Sequence, residues 1–210
     1  MDGMKIKASR RTTESQIEVV ADFSGVSAEY RKDINTGIDF LNHMIEHIAW
    51  RGEVNIKIDV KLDKFLLTHV ICEDLGMTFG RAVAEYVSKS RAYGVMGFGD
   101  AVGIIDEAKA QAAFSFEDRS YFDFTSAVEI PSEAEGMASE DLLVFLDGFC
   151  QGARCTLHLD VQKGKNAHHI WESAFRAVGS ALKNTLALSE ARAGRTSGVA
   201  GAVEYEVKQV

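Results

Sequence analysis

The sequence predicts an α+β fold made of two related halves, each with a mixed sheet faced by two helices. Two observations support this prediction. Segments with alternating apolar residues are interleaved with segments whose apolar residues recur at helical spacing. The order strand, helix, strand, helix then recurs roughly a hundred residues later, as expected of a tandem duplication related by a pseudo-twofold axis. We place the first half at 1–93, the second at 94–188 and a C-terminal tail at 189–210.

The first half begins with a strand over 15–23, where alternate residues from Ile17 to Phe23 are apolar. A helix is expected between 35 and 52, because apolar residues there form one stripe. A strand follows over 53–60, and a second helix begins near Thr68. Before these elements, the chain start at Met1–Lys5 shows no clear pattern.

The second half repeats this order. Apolar residues alternate from Ala110 to Phe116, a helix is expected around 141–149, and a strand over 155–161. The last helix is expected to begin at Asn166, a residue type that favours the N-cap position.

A polar cluster opens this last helix. His168 and His169 precede Glu172 by four and three residues, so on a helix their side chains share a face with the carboxylate. Imidazole and carboxylate ligands together suit Mn, Fe or Zn. At the equivalent place in the first half stand His69 and Glu73. The repeat therefore predicts related metal-binding positions in both halves.

Composition narrows the function classes. The 210 residues are 46% hydrophobic, enough for one good core or two small ones. A net charge of -8 argues against a nucleic-acid partner, since phosphate backbones require clustered Lys and Arg. No apolar run approaches the ~20 residues that span a bilayer, and no signal peptide pattern opens the chain. With Cys72, Cys150 and Cys155 interpreted as reduced thiols, we expect a cytoplasmic protein without a membrane partner.

A series of short motifs runs along nearly the whole chain: Thr-Thr-Glu at 12–14, Thr-Gly-Ile-Asp-Phe-Leu-Asn-His-Met at 36–44, His69 with Glu73 and Asp74, Asp-Glu-Ala at 106–108, Asp-Arg-Ser-Tyr at 118–121, Thr-Leu-His at 156–158, and 166–172. In these motifs the chain resembles the imidazoleglycerol-phosphate dehydratase family. The resemblance implies two repeats of a ribosomal-protein-like half fold, paired manganese sites at subunit interfaces and a large homo-oligomer of trimers. It also implies that the chain removes water from a phosphorylated imidazole substrate in histidine biosynthesis.

The resemblance also assigns roles to individual residues. Glu14 matches the family's acid–base carboxylate, and His43, Glu73 and Glu172 complete the implied catalytic group. The implied substrate-binding residues are Arg119, Lys165, Thr196 and Ser197 for the phosphate, with Asp106 to orient an imidazole.

The sequence departs from the family pattern at several of these positions. The second histidine of the first-half cluster is replaced by Val70, and a histidine of the third helix by Val144. An expected arginine aligns with Gly97, and the C-terminal phosphate motif reads Thr-Ser-Gly at 196–198, without its lysine. Two further departures are Asn42 for aspartate and Arg51 for histidine.

Exchange of the two halves suggests how the ligands divide between sites. One symmetric partition places His43, His69, Glu73 and His169 in one complete site. The other site would keep only His168 and Glu172, because its remaining positions are Val70 and Val144. Affinity depends on ligand number, so we expect one good metal site, most suited to Mn, and one vestigial site.

Two alternatives remain open on the sequence alone. His43, Glu46 and His47 fit the His-x-x-Glu-His pattern of inverted zinc peptidases, which use two histidines and a glutamate to activate water. The missing ligands instead favour a catalytically altered or inactive paralogue that binds a different phosphorylated metabolite. Cleavage of a peptide, dehydration of the imidazole substrate, or neither would distinguish these readings.

Overall fold

The computed structural model describes residues 3–209. Met1 and Asp2, at the start of the predicted first half, and Val210, at the end of the predicted tail, lie outside the described residues. The strands and helices, in chain order, are β1 (Lys5–Arg11), β2 (Ser15–Asp22), α1 (Asp39–Gly52), β3 (Asn55–Leu62), α2 (Thr68–Ser90), β4 (Phe98–Ile105), β5 (Ala108–Ser115), β6 (Tyr121–Ser126), β7 (Glu133–Ala134), β8 (Met137–Ala138), α3 (Ser139–Ala153), β9 (Thr156–Lys163) and α4 (Ala167–Leu186). None of the helices described in this range is long and apolar enough to cross a membrane.

The strands form one main sheet in each half, and β7 and β8 pair as a separate two-stranded sheet in the second half. The first has the order β1-β2-β3, and the second has the order β4-β5-β9-β6. The predicted mixed sheet is confirmed in the second half, where β6 pairs parallel to β9. It is wrong for the first half, because both strand pairs there are antiparallel. The second sheet is mixed because it contains β6, a strand that has no counterpart in the described part of the first half.

The helices interlock the two halves. α2 packs on β1 and β2, whereas α4 packs on β4 and β5. The first helix of each half packs on the second helix of the other, so α1 contacts α4 and α3 contacts α2. Glycine allows both crossings, because a Cβ at Gly80 would collide with the backbone of α3 and one at Gly179 with the backbone of α1. One hydrophobic core therefore contains residues of both halves.

The predicted elements recur in the structure with small changes at their ends. All four helices form, and the side chain of Asn166 caps α4 by accepting a hydrogen bond from the His169 amide. The sequence analysis did not predict β1, β4, β6 or the short strands β7 and β8. Charged residues interrupt the apolar pattern of β1, and Gly99 and Gly103 interrupt that of β4. The division of the chain at residue 93 stays a prediction.

Candidate metal and substrate site

Three potential metal ligands meet where α1 packs against α4. His43 comes from α1, and His168 and Glu172 come from α4; their ligand atoms all lie within 4.8 Å of one another. His168 Nε2 is 3.2 Å from Glu172 Oε2, and His43 Nε2 is 3.6 Å from the same oxygen. We call these three residues the His–Glu cluster. Two imidazoles and a buried carboxylate are a donor set that fits a divalent metal ion.

Local structure fixes both helices at this point. The Asn42 side chain accepts hydrogen bonds from the backbone and hydroxyl groups of Thr36, each at 2.8 Å, and so ties the preceding loop to α1. On α4, the Asn166 cap starts the helix directly before His168, and Glu172 follows one turn later. Both histidines therefore project from the first turns of their helices, where the two helix starts meet.

The carboxylate of Glu172 is buried among basic groups. Only 5% of the residue is exposed. Its Oε1 lies 3.4 Å from His47 Nε2 and accepts a hydrogen bond from Arg176. Burial works to raise the pKa of Glu172, but His47, Arg176 and the cluster histidines outweigh it and hold this pKa below its ordinary value. The carboxylate is therefore charged at neutral pH.

His47 borders the cluster as a neutral imidazole. Burial is the main cause that lowers its pKa to about 4, against the opposing charge of Glu172. Its Nε2 lies 3.4 Å from Nε2 of His43. From the sequence, His47 was considered only in the zinc-peptidase pattern and Arg176 was given no role, although each stands four residues after a predicted ligand on the same helix.

Within one chain, the ligands group differently from the sequence expectation. His43 was expected with His69, Glu73 and His169, but the structure places it with His168 and Glu172. The cause is the helix interlock, in which α1 crosses α4 while α3 crosses α2. As a result, the two valine substitutions do not fall on the His–Glu cluster within the chain: Val70 lies on α2 and Val144 on α3.

The first-half ligands lie apart from this cluster. His69 is on α2 with 63% of its side chain exposed, and its Nδ1 lies 3.8 Å from Asp141 Oδ1 on α3. Glu73 is half-buried one turn later. Among residues 3–209, the His–Glu cluster is the only group of three or more potential ligands close enough to hold one ion.

His169 makes its own polar group. Its Nδ1 lies 2.9 Å from Glu107 Oε2, and its Nε2 lies 3.9 Å from Asp106 Oδ2. Hydrogen bonds from the backbone of Asn166, together with His169 and the backbone of Lys165, lower the pKa of Glu107 to about 2. The same pairing with Glu107 raises the pKa of His169. The predicted residues Asp106, Lys165 and His169 thus lie together, and Glu107, which had no assigned role, joins them.

Three predicted phosphate ligands line one cavity of about 270 Å³, together with Arg91: Arg119, Thr196 and Ser197. Arg119 is largely exposed, with its guanidinium 3.0 Å from Glu117 Oε2. The Arg192 side chain donates to the carbonyl oxygens of Thr196 and Ser197, both at 3.1 Å, and so shapes this loop. Lys165 is not among the residues that line the cavity.

Glu14 occupies the turn between β1 and β2. It is exposed, and its backbone amide donates to the Thr12 hydroxyl at 3.1 Å. The structure therefore does not bring Glu14 into the His–Glu cluster, which lies at the contact of α1 and α4.

The two histidines of the zinc-peptidase pattern lie side by side, but its glutamate pairs with Arg31. Glu46 Oε2 lies 3.1 Å from the Arg31 guanidinium and 3.3 Å from His43 Nδ1. A general base that activates water needs a free carboxylate beside the metal. The ion pair with Arg31 disfavours that role.

Comparison with known proteins gives one consistent result. The family model described as imidazoleglycerol-phosphate dehydratase matches residues 36–182. The chain belongs to the imidazoleglycerol-phosphate dehydratase family. A relative of that name from Burkholderia multivorans is 34% identical over 195 residues, which cover 92% of this chain and 96% of the relative. Another from Ralstonia nicotianae is 31% identical over 202 residues, covering 95% and 98%.

Solved structures of the family share the fold. The imidazoleglycerol-phosphate dehydratase of Pyrococcus furiosus superposes with a TM-score of 0.76 at 30% identity, covering 93% of this chain and 99% of that one. The enzyme of Staphylococcus aureus gives 0.74 at 23% identity, over 88% and 100%, a likeness that bears on the fold alone. These matches confirm the α+β duplication as the fold of the family.

Proposed function

We propose that the chain is a metal-dependent hydro-lyase that removes water from imidazoleglycerol phosphate in histidine biosynthesis. The observation that carries this proposal is the His–Glu cluster: a buried, charged carboxylate between two imidazoles, in a chain that aligns with family members over nearly its whole length. Such a cluster supplies ligands for a divalent ion, for which Mn is our choice. A bound divalent ion acts as a Lewis acid on the imidazole of the substrate.

The chain's own residues prepare the metal ligands. Arg176 and His47 hold one oxygen of Glu172, which leaves the other directed at His43 and His168. Glu107 accepts from His169 Nδ1, so the Nε2 of that imidazole is left free as a ligand atom. We propose that His169, His69 and Glu73, all at least partly exposed in one chain, complete metal sites with a neighbouring copy in a large homo-oligomer of trimers.

Proton transfer and phosphate recognition fall to other residues. We assign the acid–base step to Glu14, whose exposed carboxylate is free to meet a substrate held by the assembly. Arg119, Thr196 and Ser197 share one cavity with Arg91, and these groups suit a phosphate because two guanidinium ions and two hydroxyls can donate to its oxygens. Lys165 and Asp106 flank His169, where an imidazole of the substrate would need orientation.

A second candidate is a paralogue that binds a different phosphorylated metabolite. It is favoured by the packing at Gly97, where the family has an arginine. A Cβ at this position would collide with the Ser197 hydroxyl, so the loop at 196–198 occupies the space that a larger side chain needs. The cavity of this chain therefore has no room for a side chain at position 97, and valines stand at positions 70 and 144, where the family has histidines.

The deciding experiment is a dehydration assay with imidazoleglycerol phosphate on protein stripped of metal and reloaded with Mn²⁺, with the bound metal counted per chain. Turnover that is lost on chelation and restored by Mn²⁺ supports the hydro-lyase. Bound metal and phosphate ligand without turnover support the paralogue. An exposed-residue variant, Glu53→Gln, controls for surface changes, and Glu172→Gln should lose both metal and turnover.

A further inference from the structure

The two halves differ where the edge strand meets the second helix. β1 and β4 are equivalent edge strands: Arg10 stands opposite Ile17 on β2, and Gly103 stands opposite Ala110 on β5. A Cβ at Gly103 would collide with the Ser173 carbonyl, so α4 lies directly on β4. On β1 the equivalent residue is an arginine, which reaches across to a carboxylate on α2.

That substitution opens a slot in the first half. Arg10 Nη1 lies 2.6 Å from Asp74 Oδ1, so a long side chain spans from β1 to α2 where β4 has a glycine against α4. The result is a cavity of about 620 Å³, walled by residues 5–10 of β1 on one side. The α2 side is formed by Met77, Thr78, Arg81, Glu85 and Lys89. β1 is the outer strand of its sheet, so the backbone groups along its outer edge have no partner strand among residues 3–209. This free edge lies beside the slot.

The C-terminal segment 202–209 has the residue pattern of a strand. Val203, Tyr205 and Val207 alternate with Glu204, Glu206 and Lys208. Alternation of this kind is typical of a strand with one face buried. In the structure the segment has no regular secondary structure, and Tyr205 and Val207 are 78% and 91% exposed. Two of its three apolar side chains are therefore largely exposed to solvent.

Charge and polarity match the segment to the slot. The solvent face of β1 carries Lys5 and Lys7, which would stand beside Glu204 and Glu206 if the segment paired with this edge. Opposite charges on neighbouring strands stabilise the pairing. The alternate side chains would then enter the slot, whose wall includes Ile6, Ala8 and Met77.

The segment begins within reach of the slot. Ala202 and Val203 line a second cavity of about 200 Å³ together with Arg81 and Glu85, which also line the first. At about 3.3 Å per residue, the segment spans roughly 26 Å, close to the roughly 23 Å of β1. Residues 202–209 therefore begin close enough to β1, and are long enough, to lie along it.

We propose that residues 202–209 pair with the free edge of β1 in the same chain as a fourth strand that fills the slot. This is β-augmentation by the chain's own C-terminal segment. The docked segment would also fix the neighbouring loop at 196–198, a consequence that rests on the proposed function.

Disulfide trapping tests the pairing without any activity measurement. Ser9→Cys, on the solvent face of β1, is combined in turn with Glu204→Cys, Glu206→Cys or Lys208→Cys to sample registers. The three native cysteines are buried and free. The matched control replaces Ser9→Cys by Lys57→Cys on β3, the opposite edge of the same sheet. We expect an intrachain cross-link for one Ser9 pair and none with Lys57. A dimer-mass cross-link would assign the slot to a neighbour's tail, and no cross-link in any register would overturn the pairing; either result rejects the proposal.

Hydrogen exchange provides a second readout that does not depend on cysteine geometry. The full chain is compared with a chain ending at Gly201. Backbone amides of β1 should exchange faster in the shortened chain, whereas those of the central strand β2 should be unchanged and so report that the fold is intact. Equal exchange of β1 in both chains contradicts the proposal. Because neither readout involves turnover, their failure is distinguishable from failure of the hydro-lyase assignment.

Discussion

Glu172 Oε2 lies 3.2 Å from His168 Nε2, one helical turn earlier on α4, while its Oε1 contacts His47 and Arg176. One carboxylate thus serves two purposes. Its Oε2 stands with the His43 and His168 imidazoles as a potential metal ligand, and its Oε1 is held in a buried place by Arg176 and His47. This arrangement suggests that the cluster is built around Glu172.

Glu172→Gln should therefore lower metal affinity by more than about 10-fold, because loss of a direct ligand costs at least as much as loss of a residue that orients one. Metal content per chain after dialysis against a weak chelator measures the effect. Glu53→Gln, an exposed carboxylate paired with Lys183, is the control. Unchanged metal content in Glu172→Gln would place the ion elsewhere.

The Glu107–His169 pair predicts a pH dependence. The pKa of Glu107 is lowered from 4.5 to about 2, and that of His169 is raised from 6.5. Stability from the depressed carboxyl is present above its unfolded pKa and lost as pH falls through the folded one. Stability from the raised imidazole is present below its unfolded pKa and lost as pH rises through the folded one. The pair therefore contributes fully between about pH 4.5 and 6.5.

Glu107→Gln tests this pairing in metal-free protein. The pKa of His169, followed by NMR titration of its ring protons, should fall toward its ordinary value, because the carboxylate that holds its proton is gone. The difference in unfolding free energy between wild type and variant should be largest inside the same pH window.

The helix crossing predicts an intolerant glycine. A Cβ at Gly80 would collide with the Phe149 carbonyl on α3, and backbone cannot move aside as a side chain can. Gly80→Ala should cost roughly 1–3 kcal/mol of unfolding free energy, despite the higher helix propensity of alanine. Urea denaturation measures it. Lys89→Ala, exposed on the same helix, should stay within about 0.5 kcal/mol of wild type. A neutral Gly80→Ala would contradict the close packing of α2 and α3.

Arg119 is expected to bind the substrate phosphate. Arg119→Met keeps the length of the side chain but removes its charge, and one charged hydrogen bond is worth about 1.5–3 kcal/mol. KM should therefore rise about 10-fold or more, with a smaller change in kcat. The control is Arg11→Met, an exposed arginine of β1 that bonds Gln16. Equal KM values for the two variants would show that Arg119 does not bind the substrate phosphate.

Local patterns were sufficient to predict most of the fold. Apolar periodicity located the helices and the central strands, because each buries one face along its own length. β1 and β4 were missed since Arg10 and Gly103 serve contacts with the second helices, and those partners are invisible in a local pattern. β6 was also missed because it lies at a sheet edge with none of its residues fully buried, and β7 and β8 because each has only two residues.

The site shows the same limit. Its residue types could be read from the repeat, and His168 and Glu172 share a face because they share a helix. His43 could not be assigned to them from the sequence, because symmetry alone allows more than one pairing of helices. Helix packing decides the pairing: because Gly179 has no side chain, α1 can lie directly on α4.

Val144→His tests whether the first half can regain a complete set of ligands. Val144 is half-buried on α3, the helix that packs on α2, where His69 and Glu73 lie. The interlock places α3 against α2 as it places α1 against α4, so a histidine at 144 should stand to His69 and Glu73 as His43 stands to His168 and Glu172. Three donors at one place bind a divalent ion more tightly than two.

We therefore expect Val144→His to add one metal ion per chain to the content of the wild-type protein. Metal analysis after equilibrium dialysis in Mn²⁺ measures the gain. Val144→Ile, which keeps the position apolar, is the matched control and should leave the count unchanged. Combining Val144→His with Glu73→Gln should abolish the added ion while the His–Glu cluster keeps its own. A gain that survives Glu73→Gln would show that the new histidine binds metal without the α2 carboxylate. The ligands on α2 and α3 would then not be arranged like those on α4 and α1.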